Sequence, residues 1–69
     1  MISITGDIYL KINPQNIDML TKLIEAYDNL GIVSTIDRSC GLVVIRGTVD
    51  TYSELIDILN NLPFEVEFQ

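Results

Sequence analysis

Residues 32–46 read IVSTIDRSCGLVVIR. Two short runs rich in Ile, Val and Thr, Ile32–Asp37 and Leu42–Arg46, flank Arg38, Ser39, Cys40 and Gly41, a loop in which glycine supplies a positive φ at no steric cost. The segment is expected to be a β-hairpin. With the charged Asp37 and Arg46 set toward solvent, period two turns Ile32, Ser34, Ile36, Val43 and Ile45 inward and Val33, Thr35, Leu42 and Val44 outward. That outward set is unusually apolar, and a slip of one residue would exchange the two faces.

Upstream of the hairpin, Asn13 suits an N-cap and Pro14 the first helical position. Ile17, Leu20, Ile24 and Tyr27 then recur at helical spacing, with Met19, Leu23, Ala26 and Leu30 widening the stripe, so the spacing predicts a helix to about Leu30, closed by Gly31. Further upstream, Ile2, Ile4, Ile8, Leu10 and Ile12 alternate with Ser3, Thr5, Asp7, Tyr9 and Lys11, the pattern of a half-buried strand. Gly6 stands where that row expects an apolar residue and marks a bulge or a close approach by a helix. Downstream, Thr51 and Glu54 have the spacing of a capping box, with Asp50 a competing N-cap, and Tyr52, Leu55, Ile56, Leu59 and Leu62 form one helical stripe. Pro63 stops it, and Phe64, Val66 and Phe68 alternate with Glu65, Glu67 and Gln69 in a last strand.

A strand and a helix on each side of a hairpin give the order β-α-β-β-α-β. The expected fold is α+β, a ferredoxin-like two-layer sandwich: a four-stranded antiparallel sheet of order 4-1-3-2 with two helices on one face. Residues 1–69 read as a single domain without linker or repeat.

With 69 residues, one core supplies little net stability, and one cysteine with no histidine leaves little for disulfide or metal reinforcement. Self-association is the expected reinforcement. A hydrophobic fraction of 48% excludes a disordered acidic tail, although ten acidic residues against four basic ones give a net charge of -6. That charge argues against nucleic acid and anionic membranes, whose phosphates are bound by Lys and Arg. No apolar run has the length of a membrane span and the N-terminus lacks the order of a signal peptide, so the expected setting is cytoplasmic.

Catalytic groups are scarce. Cys40 stands near Arg38, the kind of neighbour that can make a thiol nucleophilic, but there is no histidine to serve as its base, and a spectator thiol is the simpler reading. Asp7, Glu65 and Glu67 fall on the open side of the sheet, where clustered carboxylates can hold a hard cation; alternating glutamates on an edge strand more often guard against aggregation. Gly47–Thr51 offers helix N-terminal amides to an anion, but Asp50 satisfies and repels in the same place. No phosphate loop, dinucleotide glycine pattern or Cys-x-x-Cys is present.

Glu25, Ala26, Tyr27, Asp28, Asn29 and Leu30, followed by Thr35, Ile36, Asp37 and then Gly41, Leu42 and Val43, resemble the pattern of a family of short bacterial proteins catalogued as domain of unknown function 4911. The resemblance spans residues 17–62 and implies the same element order without implying an activity or a cofactor. The architecture is also similar to small regulatory domains that bind amino acids between paired subunits, but Asn13–Asn16 stand where those have a glycine-containing turn.

The sequence therefore points to a non-enzymatic interaction or regulatory module, a homodimer or the partner of another protein. The expected contact is either the open face, through Tyr9, Val33, Leu42 and Val44, or the second strand, which has no Lys, Pro or Glu inside it to guard its edge. The alternative is a domain that binds a small ligand or metal, with Thr35, Asp37, Arg38 and Arg46 as the candidate binding group.

Overall fold

The computed structural model describes residues 6–27 and 30–69. Its elements are β1 (Ile8–Ile12), α1 (Ile17–Glu25), β2 (Ile32–Asp37), β3 (Leu42–Arg46), α2 (Val49–Asn60) and β4 (Val66–Phe68). Every strand pairing is antiparallel and the sheet order is β2-β3-β1-β4, the expected order read from the other edge. The expected strand segment Ile2–Thr5 and the expected helical positions Asp28 and Asn29 lie outside the described residues.

The core lies between one sheet face and the two helices. Ile8, Leu10 and Ile12 of β1 and Val43 and Ile45 of β3 meet Ile17, Leu20 and Ile24 of α1, Leu55 and Leu59 of α2, and Leu30. Leu10, Leu20, Ile24 and Leu55 are wholly excluded from solvent, and each such side chain contributes roughly 1.5–3 kcal/mol through the apolar area it removes from water. The spacing of Ile17, Leu20 and Ile24 puts them on one side of α1, which is why so short a helix docks firmly.

Both helix starts differ in detail from the sequence expectation. Asn13 does cap, its side chain accepting from the Gln15 amide at 2.9 Å, but the turn that it opens at Pro14–Asn16 is 3-10, and α1 follows from Ile17. At α2 the N-cap is Thr48 rather than Asp50 or Thr51. Thr48 and Thr51 bond each other reciprocally, with the Thr51 hydroxyl in the role that glutamate usually fills.

Helix α1 also ends at Glu25, five residues before the expected Leu30. The amides of Ala26 and Tyr27 fold back onto the carbonyls of Lys22 and Ile24 at 3.1 and 3.2 Å, a tightened last turn. Leu30 then drops into the core at 5% exposure, while Tyr27, expected on the buried stripe, is 50% exposed. Gly31 has no left-handed φ and is not the helix cap. It lies where an added Cβ would press on the Arg46 carbonyl and the Ile45 side chain, both at 3.2 Å. Gly6 does mark a close approach: at φ 77° it lets the backbone pass against the Thr48 carbonyl at the start of α2.

The hairpin carries the largest correction. Thr35 pairs with Val43 but Asp37 pairs with Leu42, so Ile36 has no partner of its own and forms a β-bulge. The extra residue breaks period two. Asp37 stays opposite Leu42 on the open side as expected, yet all of β2 before the bulge is reversed. Val33 pairs with Ile45 and packs against the core, and Thr35 shares that side, so neither belongs to the open face. Ile32 and Ser34, opposite Arg46 and Val44, take their place, and alternation from Thr35 turns Ile36 the same way.

Candidate interaction face

The sheet side away from the helices is built by strand alternation. β1 presents Tyr9 and Lys11, β3 presents Leu42, Val44 and Arg46, β4 presents Glu67, and β2 presents Ile32, Ser34 and Ile36. Tyr9 and Ser34 flank Val44 in register, and Val44 retains only 1% exposure beneath its neighbours. Around it Ile32 is 62% exposed, Ile36 50% and Tyr9 48%, while Leu42 is half-buried. Three large apolar side chains thus stand in solvent on one face.

Charge on this face is paired across the strands. The Arg46 guanidinium lies 4.0 Å from the Asp7 carboxylate at one end, and Lys11 stands opposite Glu67 at the other. With Asp37 at the hairpin end of the same side, two cations meet three anions, so this side carries only -1 of the formal charge of -6.

The binding group expected from sequence does not converge. Arg46 and Asp37 sit at opposite ends of the hairpin, four strand residues apart, which is about 13 Å at the β rise. Thr35 is on the helix side. Arg38 reaches Asp18 of α1 at 3.6 Å, with both side chains mostly exposed. Asp37 instead organises the turn, accepting from the Ser39 hydroxyl at 2.6 Å and the Ser39 amide at 3.0 Å. These bonds hold its carboxyl below the ordinary aspartate value, the Ser39 hydroxyl contributing most. Cys40 is exposed in the same turn, its thiol 3.8 Å from the Asp37 carbonyl.

The carboxylates considered as a cation site are likewise separated. Glu67 is level with Lys11, four residues along β1 from Asp7, and Asp7 is beside Arg46. Among the described residues no three or more His, Cys, Asp or Glu side chains are grouped to hold a metal ion. No described helix is long and apolar enough to cross a membrane.

Ile32, Ser34 and Ile36 are the open-face residues that sequence reasoning assigned to the wrong side. The available signal was the turn: Asp37 followed two residues later by Ser39 spells an Asx turn, which draws Asp37 out of strict alternation.

Element order, sheet order and one-sided helices define a ferredoxin-like α+β sandwich. The family described as Domain of unknown function (DUF4911) matches residues 10–66, and the chain belongs to it. That description gives no sign of catalysis. Neither a search of curated proteins nor a search of solved structures finds a match.

Proposed function

We propose that this chain is a non-enzymatic interaction module of the cytoplasm that self-associates by packing the open sheet faces of two copies together. The observation that carries the reading is the coincidence of exposed Tyr9, Ile32 and Ile36 with nearly balanced charge on one face of a chain whose net charge is -6. Two identical acidic chains repel wherever unbalanced carboxylates meet. On this face the charges nearly cancel, the excess anion Asp37 lying at the hairpin end, and apolar area is exposed to be buried.

Edge pairing through β2, the competing route, is disfavoured by the bulge at Ile36, because a bulge twists an edge and interrupts the flat row of backbone groups that a second strand needs. Four strands of about five residues span only about 300 Å² in projection, from a strand spacing of ~4.8 Å and a rise of ~3.3 Å. Contacts of that size belong to the weak, transient class. A dimer in exchange with monomer is therefore expected.

Sedimentation velocity from low to high micromolar concentration tests this. A mass rising from one chain toward two, abolished by Tyr9→Glu or Ile32→Glu, is the expected result. A monomer across the whole range would overturn the proposal. Both positions are exposed in the single chain, so these variants keep the fold and change only the contact.

A further inference from the structure

β4 ends the sheet on the side away from β2, and among the described residues its sole strand partner is β1. The Gln69 amide donates to the Tyr9 carbonyl at 2.9 Å. Bonded and non-bonded pairs alternate along an antiparallel ladder, so Glu67, level with Lys11, also turns its backbone groups toward β1. Val66 and Phe68 therefore turn theirs to the outer edge. We infer that this edge takes up an extended peptide segment in which basic and apolar residues alternate, adding it to the sheet as a further strand.

The helix side of the edge is apolar. Val66 and Phe68 stand level with Ile12 and Leu10 of the core, and Phe68 is 43% exposed. Leu59, Leu62 and Phe64 continue this wall into a hollow of about 790 Å³ between β4 and the last turn of α2. The hollow lies where α1 begins and α2 ends, about 18 Å along α2 from Thr48, against which Gly6 packs. The charged groups lining it are two carboxylates, Glu67 and, just before the strand, Glu65, against the single ammonium of Lys11. No basic residue stands in the last turn of α2, so the carbonyls at that helix end add negative potential.

Those carboxylates select among strands. Pairing β4 with β4 of a second copy would bring glutamate against glutamate, and like charges directly opposite are destabilising. A strand with Lys or Arg at those positions gains from each pair instead, while its alternate apolar side chains extend the wall of Phe64, Val66 and Phe68. The edge thus rejects its own copy and admits a strand of opposite charge. The groups that bond the incoming strand are the backbone of Val66 and Phe68, whose side chains turn to the helix side, so the uptake uses none of Tyr9, Ile32 or Ile36.

The test is NMR titration of the whole chain with three capped hexapeptides: the alternating Lys-Val-Lys-Val-Lys-Val, its block isomer Lys-Lys-Lys-Val-Val-Val and the acidic Glu-Val-Glu-Val-Glu-Val. The alternating basic peptide should give saturable shifts centred on Leu62, Phe64, Val66 and Phe68, and should slow hydrogen exchange at the Val66 and Phe68 amides. The block and acidic peptides should bind at least roughly tenfold more weakly. Glu65→Lys, at an exposed position, should weaken the basic peptide roughly fivefold and strengthen the acidic one. No saturable shift, shifts centred on Tyr9 and Ile36, unaltered exchange at Val66 and Phe68, or equal binding of the three peptides would overturn the inference. Single and paired chains present the same edge, so none of these results bears on the dimer.

Discussion

Replacing Gly41 with alanine tests how the hairpin is locked to the sheet. Gly41 has φ 76°, a conformation that costs an L-residue about 1–2 kcal/mol. A Cβ built there would also overlap the backbone carbonyl of Ile12, so the loop must back away from β1. That movement breaks the bond from the Ile12 amide to the Gly41 carbonyl, 2.9 Å long beside a residue only 5% exposed, and an orphaned buried group costs about 1–3 kcal/mol. Together the loss is about 2–5 kcal/mol. A chain of this length has roughly 3–10 kcal/mol in total, from about 0.05–0.15 kcal/mol per residue. Urea unfolding followed by circular dichroism reads this directly. With a slope of about 1 kcal/mol/M for so small a protein, the midpoint should fall by about 2 M or more. D-Alanine at position 41, installed by chemical synthesis, accepts the positive φ and moves the methyl to the other side of the backbone, so it should recover most of the loss. A Gly41→Ala protein weakened by less than about 0.5 kcal/mol would refute the reasoning.

Three further expectations follow from the caps, the turn and the sheet. Thr48→Ala removes the N-cap hydroxyl of α2 and should cost about 1 kcal/mol, a fall of roughly 4–8 °C in Tm by calorimetry. An NMR titration of Asp37 should give a midpoint below 3.8, because its charged form accepts from Ser39, and Ser39→Ala should raise it. Its folded pKa is depressed, so the turn's contribution is complete above the ordinary aspartate range and fades as pH falls through that lower midpoint. Val44→Glu should unfold the monomer, since it forces a carboxylate into a site 1% exposed, whereas Ile32→Glu should leave the circular dichroism spectrum native.

The architecture was legible because its signals are periodic and redundant. Ile8, Leu10 and Ile12 alternate, Ile17, Leu20 and Ile24 recur at helical spacing, and all six are buried where those periods put them. Helix ends were read less well. The stripe through Tyr27 and Leu30 continues numerically past the point where the chain leaves the helix, because Leu30 reaches the core as an irregular residue instead. At α2, threonine in place of the usual glutamate hid the capping box at Thr48.

The open face was half legible. Tyr9, Leu42 and Val44 fall where alternation predicts, since β1 and β3 pair without interruption. Val33 and Thr35 do not, because one bulged residue reverses everything on its strand that precedes it, and the only sign of it lies outside the strand, in the Asx turn between Asp37 and Ser39. The binding group built on Asp37 and Arg46 failed for another reason. Both residues share the open side, but side does not imply proximity, and the two ends of a five-residue strand are far apart.

The central claim, that two copies meet through the open face, is tested most directly by isotope-filtered NOE spectroscopy on a mixture of labelled and unlabelled chains. Contacts between copies should involve the Tyr9 ring and the methyl groups of Ile32, Ile36 and Leu42. Contacts confined to the exposed Met19 of α1 or Phe68 of β4, or none at a concentration where the sedimenting mass exceeds one chain, would contradict it.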